Sequence, residues 1–98
     1  MEARLNIYSD CSSEEPTKVY ICRRLLYKTS KKIAALIERM KEATPEEQEQ
    51  ITIDVIKTIF PDFKTEEFGD IDPTEWLNFV NQINNETNEI LTNASKNF

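Results

Sequence analysis

The chain of 98 residues contains no histidine, one glycine and two cysteines, and these shortages narrow the chemistry that it can perform. Without histidine, the Ser–His and Cys–His pairs that activate a nucleophile cannot form. Two cysteines alone do not supply the four ligands of an ordinary zinc site either. Cys11 and Cys22 are therefore predicted to be idle thiols, with a disulfide across a hairpin as the alternative. The sequence predicts neither an enzyme nor a bound cofactor.

The sequence also lacks an apolar run of about 18 residues, the length that a membrane-spanning helix requires. Its first residues do not show the charged-then-apolar order of a signal peptide. A cytoplasmic protein is therefore expected. A chain of this size buries roughly 60–70% of its unfolded surface, which is enough for one core. We expect a single domain over residues 1–92 and a flexible polar tail over residues 93–98.

Charge is abundant but unevenly distributed along the chain. Residues 18–41 carry eight cationic side chains against one acidic side chain, a net of +7. Residues 42–75 carry two cationic and eleven acidic side chains, a net of −9. The opposite charges of these two segments either pair with each other within the fold or attract a partner that carries the opposite charge pattern. Internal neutralisation is the favoured expectation.

Two segments near the start alternate between apolar and polar residues, which is the period of a half-buried strand. Ala3, Leu5 and Ile7 form the first apolar set, and residues 17–22 alternate again with β-branched and aromatic side chains. Residues 9–16 between them are polar and suited to a turn. The pattern predicts an N-terminal β-hairpin, which must pack on helices to be stable.

The period changes to that of helices from about Ser30 onward. A Thr-Pro-Glu-Glu capping sequence at residues 44–47 predicts the start of a second helix, which Pro61 ends. Thr65 is expected to cap one short turn, with Gly69 in a left-handed conformation at its end. Asp72 is expected to cap the last helix. The predicted fold class is α+β, mainly α: a hairpin packed on three helices plus one short turn.

Paired carboxylates at Glu46/Glu47 and Glu66/Glu67 are the remaining candidates for acid–base chemistry. They lie where helices are predicted to begin, and the helix dipole favours acids there without any catalytic role. The aspartates of residues 62–72 do not have the spacing of a calcium-binding loop, so no metal site is expected.

A cationic cluster before and within the first predicted helix is a candidate partner-binding surface. It would dock an acidic partner, or bind nucleic acid with Tyr20 and Tyr27 stacking on bases. The calculated pI near 4.7 disfavours nucleic acid. The cluster consists of Arg23, Arg24, Lys28, Lys31 and Lys32.

Aromatic residues are concentrated in residues 60–79, within an acidic stretch. Most are expected in the core, but one or two are expected to line a groove that covers the apolar face of a partner helix. The candidates for that role are Phe68, Trp76 and Phe79.

This region resembles the tail assembly chaperones of long-tailed bacteriophages. In that family a phrase of the type F-T-x-(D/E)-x-(F/Y)-(Y/x)-D-G-(L/I)-D links two helices. Here the glycine and aspartate are in the reverse order and the second aromatic is missing. The matching residues are Phe63, Thr65, Glu66, Phe68, Gly69, Asp70, Ile71 and Asp72.

The resemblance extends over residues 2–83 and rests on the order of five parts. They are a strand pair, a basic stretch that leads into the first helix, a P-E-E helix, the acidic phrase and an apolar last helix. They correspond to residues 4–22, 23–42, 45–60, 63–72 and 73–84.

The resemblance implies a small cytoplasmic protein that keeps the tape measure protein soluble during tail assembly and is absent from the mature virion. It also implies a longer product of ribosomal frameshifting that recruits the tail tube protein, and residues 95–98 are compatible with a slippery site. A homo-oligomer is compatible with this function. Two alternatives remain open: a head–tail connector of the virion, and a small nucleic-acid-binding adaptor.

Overall fold

The computed structural model describes the backbone of residues 1–97 and the side chains of residues 1–94. It contains a two-stranded sheet, three α-helices and one short 3-10 helix, so the predicted α+β, mainly helical fold is confirmed. The elements are β1 (Ala3–Ile7), β2 (Lys18–Cys22), α1 (Tyr27–Met40), α2 (Pro45–Ile59), the 3-10 helix (Thr65–Asp70) and α3 (Pro73–Asn97).

The two strands form the predicted antiparallel hairpin, with a register that runs from Ala3 opposite Cys22 to Ile7 opposite Lys18. One face of the sheet is buried and consists of alternate residues of both strands. Alternate side chains of a strand point to opposite faces, so the apolar period seen in the sequence becomes the buried face of the sheet. That face packs on the helices.

Helix α1 begins at Tyr27, about one turn earlier than the sequence predicts. The Ser30 N–H donates a hydrogen bond of 3.0 Å to the Leu26 carbonyl, which closes the first turn. Residues 27–29 show no apolar periodicity, and Leu26 provides no side-chain cap. The sequence therefore contains no signal for this extra turn.

Helix α2 begins at the predicted cap. The Glu47 N–H donates to the Thr44 hydroxyl at 3.3 Å, and that hydroxyl lies 3.0 Å from Glu47 Oε1. Pro45 occupies the first helical position, where its missing N–H has no cost. Ile51, Ile53 and Ile56 of this helix are buried.

The acidic phrase folds as a 3-10 helix, and two predictions about it are wrong. The residue at its N-terminal boundary is Lys64 instead of Thr65. Gly69 does not have a positive φ, because the backbone leaves the 3-10 helix in an extended conformation at Ile71. The 3-10 helix can therefore end without a residue in the left-handed conformation.

Helix α3 is capped as predicted, because Asp72 Oδ1 accepts hydrogen bonds from Thr74 N at 2.8 Å and Glu75 N at 3.3 Å. The backbone is helical through Asn97, so it continues through most of the segment predicted to be a flexible tail. The final residue of that predicted tail, Phe98, lies outside the described residues. Ile90, Leu91 and Ala94 continue the apolar period and are only partly exposed.

The core lies between the buried face of the hairpin and the three helices. Its largest fully buried side chains are Phe79, Leu5, Ile33 and Ile56. The thiols of Cys11 and Cys22 are both free, the first exposed and the second buried. Cys11 lies in the loop after β1 while Cys22 pairs with Ala3, so the alternative disulfide is not formed. Among residues 1–97, no helix combines the length and apolarity needed to cross a bilayer.

Candidate binding groove and cationic face

An apolar groove of about 190 Å³ lies where the three helices meet. Among residues 1–94, Thr52 and Asn84 are its only polar lining residues, and no charged side chain lines it. Its volume is below the range of about 300–1,000 Å³ typical of small-molecule pockets, and it suits side chains on an apolar helix face. We call it the three-helix groove, and it is lined by Ile37, Met40, Thr52, Val55, Trp76, Phe79, Val80, Ile83 and Asn84.

A row of aromatic rings leads from the 3-10 helix into this groove. The Phe68 ring meets the Trp76 ring edge to face at a centroid distance of 6.1 Å. Trp76 in turn stacks on Phe79 at 5.8 Å. The acidic phrase therefore has a definite structural task, since its aromatic anchor supports the ring that forms one wall of the groove.

The three aromatic candidates have different positions in this row. Phe79 is only 1% exposed and forms the floor of the groove as part of the core. Trp76 is half-buried and lines the groove. Phe68 is half-buried and lies behind Trp76, outside the groove lining. Of the three, Trp76 has the position suited to direct contact with a partner.

Leu77 is a candidate contact residue that the sequence analysis missed. It is 61% exposed, more than any other large apolar side chain among the described residues. It adjoins Trp76 in α3 and lies one turn before Val80, which lines the groove. Its i, i+3 spacing from Val80 is the signal that could have indicated a second apolar stripe on α3.

The cationic candidates lie on a different surface. At about 100° per residue, Lys28, Lys32 and Arg39 share one side of α1, and Ile33 and Ile37 lie on the opposite side. Lys31 flanks this row and lies 5.7 Å from the centroid of the Tyr27 ring. We call Lys28, Lys31, Lys32 and Arg39 the cationic face. The structure thus separates it from the groove, and one straight helix cannot contact both.

Arg23 and Arg24 belong to neither surface. They lie in the extended segment between β2 and α1, where both are exposed. Arg23 Nη1 is 3.3 Å from Glu2 Oε1, so this guanidinium has an anionic partner in the first residues of the chain.

Internal neutralisation of the two charged segments is limited to one ion pair among residues 1–94. Lys18 Nζ lies 3.6 Å from Glu67 Oε2, joining β2 to the 3-10 helix. The other ion pairs of the cationic segment are Arg23–Glu2 and Lys41–Glu38. The favoured expectation of neutralisation within the fold therefore holds only at Lys18, and the cationic face stays exposed to solvent.

Glu67 is the centre of a polar network that fixes the acidic phrase to the hairpin. Its Oε1 accepts hydrogen bonds from the Tyr20 hydroxyl at 2.6 Å and from the Lys64 N–H at 2.9 Å. Partial desolvation alone would raise the pKa of Glu67, but the Tyr20 and Lys64 hydrogen bonds and the Lys18 charge together lower it. Desolvation and the same carboxylate raise the pKa of Tyr20.

This network predicts a defined acid sensitivity. Because the pKa of Glu67 is lower in the folded state than its ordinary value of about 4.3, the network stabilises the fold above that pH. The stabilisation is lost as the pH falls through the folded-state pKa. We expect Glu67→Gln to lower the unfolding midpoint at pH 7 and to weaken its dependence on pH between about 5 and 3. Thermal unfolding followed by circular dichroism measures both effects.

Glu66→Gln is the matched control for this prediction. Glu66 is the exposed neighbour of Glu67, and it has no ion pair among residues 1–94. This variant should follow the wild-type pH profile. Equal behaviour of the two glutamine variants would show that the Tyr20–Glu67 network does not contribute.

A larger cavity of about 410 Å³ lies between the β1–β2 loop, the 3-10 helix and the start of α3. Its wall, as far as the described side chains of residues 1–94 form it, includes four carboxylates, from Asp10, Glu14, Asp70 and Asp72, and no cationic side chain. Among residues 1–97, however, no three potential metal ligands converge on one point. The cavity therefore presents no site that we can assign.

Comparison with known proteins identifies no relative of this chain. No family model, no curated protein and no solved structure matches the chain.

Proposed function

We propose that the chain is a tail assembly chaperone of a long-tailed bacteriophage, which binds the tape measure protein through the three-helix groove. The single observation that carries this proposal is an open, uncharged groove between three helices. A long helical client exposes apolar faces that need a reversible cover, and a groove of this kind receives such a face. As a chaperone, the protein acts in the host cytoplasm and is absent from the finished virion.

The order of the structural elements also supports the proposal. The hairpin, the cationic helix α1, the helix α2 with its Pro-Glu-Glu start, the acidic 3-10 helix and the apolar helix α3 follow one another as in the resemblance described above. The acidic phrase does not bind anything itself in this interpretation. It supports Trp76 through Phe68.

The exposed cationic face favours a second candidate, a small nucleic-acid-binding adaptor. Four cationic side chains on one helix would contact phosphates. The net charge of −6 and the carboxylates of residues 42–75 oppose the approach of a polyanion. The chaperone proposal accounts for the groove as well as the fold, so we prefer it.

Co-expression with the tape measure protein encoded in the same phage genome tests the chaperone proposal. We expect the client to be soluble with the wild-type chain and to aggregate without it. Asn84→Glu should lower the affinity for the client at least about tenfold, because the carboxylate would be buried in an apolar interface. The soluble fraction of the client and its co-purification with the chain are the measurements.

Asn85→Glu is the matched control for this experiment. It introduces the same side chain one residue further along α3, on the side that faces away from the groove, where Asn85 is exposed. This variant should keep the client soluble. A client that aggregates equally with and without the wild-type chain would overturn the proposal, as would equal effects of the two substitutions.

A further inference from the structure

The cationic face of α1 has no anionic partner in the part of the chain whose side chains the structure describes. Among residues 1–94, none of its four side chains lies within ion-pair distance of a carboxylate, and all four are exposed. Lys41 just after the helix does have a partner: it pairs with Glu38, which follows Lys31 by seven residues and so lies at the edge of the face. The face is therefore a concentrated positive surface on a protein whose net charge is −6.

Helix α2 carries a complementary negative surface on its outward side. Glu47 and Asp54 are seven residues apart and so lie on one side of the helix, about 10 Å from each other. Neither pairs with a cation among residues 1–94. Lys57 follows three residues after Asp54 and keeps its charge, but its ammonium is directed to the 3-10 helix, where it donates to the Thr65 hydroxyl at 2.7 Å.

The two surfaces have the same spacing. Lys32 and Arg39 are also seven residues apart on one side of α1, which again corresponds to about 10 Å. When α1 of one molecule lies along α2 of another, two cations can therefore face two carboxylates at once. Within one chain this is impossible, because both surfaces point away from the core.

We propose that the cationic face is an interface for a second copy of this chain, with Lys32 and Arg39 of one copy opposite Glu47 and Asp54 of the other. Charge complementarity selects this occupant, since the same chain supplies a positive and a negative surface of equal spacing. The three-helix groove lies on the opposite side of α1 and stays open in the complex. Copies can therefore associate with each other while each one holds a client segment.

Exposed ion pairs are individually weak and are screened by salt, so the association is expected to be weak and sensitive to ionic strength. Sedimentation velocity of the purified chain should show self-association at about 20 mM salt and high protein concentration. At about 500 mM salt, where the Debye length is well below 10 Å, the chain should sediment as a monomer.

Charge-swap variants test which surfaces are in contact. Lys32→Glu/Arg39→Glu makes both surfaces negative, and Glu47→Lys/Asp54→Lys makes both positive. Each double variant alone should be monomeric at concentrations where the wild type associates. An equimolar mixture of the two should associate again, because each negative surface then faces a positive one.

The controls carry the same changes in net charge at other exposed positions. Arg23→Glu/Arg24→Glu and Glu14→Lys/Glu15→Lys should associate as the wild type does. Circular dichroism must show that every variant is folded, since Glu47 also contacts the Thr44 cap. A wild type that is monomeric in low salt would overturn the interface. So would a mixture that does not associate, or binding of added DNA at the cationic face while the protein stays monomeric.

The self-association interface does not depend on the chaperone function, and different experiments would overturn each of the two proposals. The charge-swap variants keep the groove intact, so they should still hold the tape measure protein in solution when co-expressed. Asn84→Glu changes the groove and should still self-associate.

Discussion

Replacing Phe79 by alanine is expected to lower the free energy of unfolding by about 3–5 kcal/mol, the range found for buried aromatic side chains. Phe79 is 1% exposed and is the largest fully buried side chain of the core. Its ring contacts Phe60 and Trp76 at centroid distances of 5.9 Å and 5.8 Å. Removing it leaves a cavity between these rings that the rigid junction of the three helices cannot close.

Urea unfolding and thermal melts measure this loss, and the melting temperature should fall by at least about 12 °C. Leu77→Ala is the matched control, because it removes an apolar side chain two residues away on the same helix. Leu77 is 61% exposed, so its loss should change stability by no more than about 0.5 kcal/mol. Equal destabilisation by the two substitutions would contradict the assigned core.

The parts of the fold that follow from local chemistry could be predicted from the sequence. Thr44 and Asp72 each supply an oxygen to free N–H groups one turn ahead, and that preference does not depend on tertiary context. The apolar alternation of β1 likewise predicts its buried face. Gly69 shows the limit of such reasoning, because a single glycine after a short turn permits a left-handed conformation without requiring it.

The candidate site depends on contacts between distant parts of the chain, and the sequence does not encode these in any local pattern. Glu67 looks like an ordinary first-turn acid, yet its partner Tyr20 lies 47 residues earlier. The aromatic cluster could be recognised from the sequence, but the separate roles of Phe68, Trp76 and Phe79 could not. Phe79 is buried as the floor of the groove while Trp76 stays half-exposed at its wall, and this difference depends on how α1 and α2 pack against α3.

The orientation of α1 is the tertiary feature with the largest consequence for function. The helical period of the sequence already separates the apolar residues of this helix from its outward-facing charged residues, but it does not show that the apolar face helps to form a groove. The structure directs Ile33 and Ile37 inward and leaves Lys28, Lys32 and Arg39 outward. The contact of a partner helix with the groove and the contact of an acidic surface with the cationic face of α1 are therefore separate. Substitutions at one contact should not disturb the other.

Replacing Trp76 by alanine is expected to separate stability from client binding. Trp76 is half-buried and packs on the edge of the core, so the loss of stability should be below the roughly 3–5 kcal/mol expected for a fully buried ring such as that of Phe79. The loss of the groove wall should affect client binding more strongly, because buried aromatic side chains carry much of the binding energy of an interface. Trp76→Phe keeps a ring that can stack on Phe79 and should retain most of both properties.

Trp76 is also the only tryptophan of the chain, so the tryptophan fluorescence of the wild-type protein reports on the groove without any label. Occupation of the groove by a helical segment of the tape measure protein should remove the remaining solvent from the indole and shift its fluorescence to shorter wavelength. Asn84→Glu should abolish the shift, and Asn85→Glu should preserve it. If Trp76→Ala unfolds as easily as Phe79→Ala, Trp76 is a structural part of the core. If client binding leaves the emission unchanged, the groove does not hold the client.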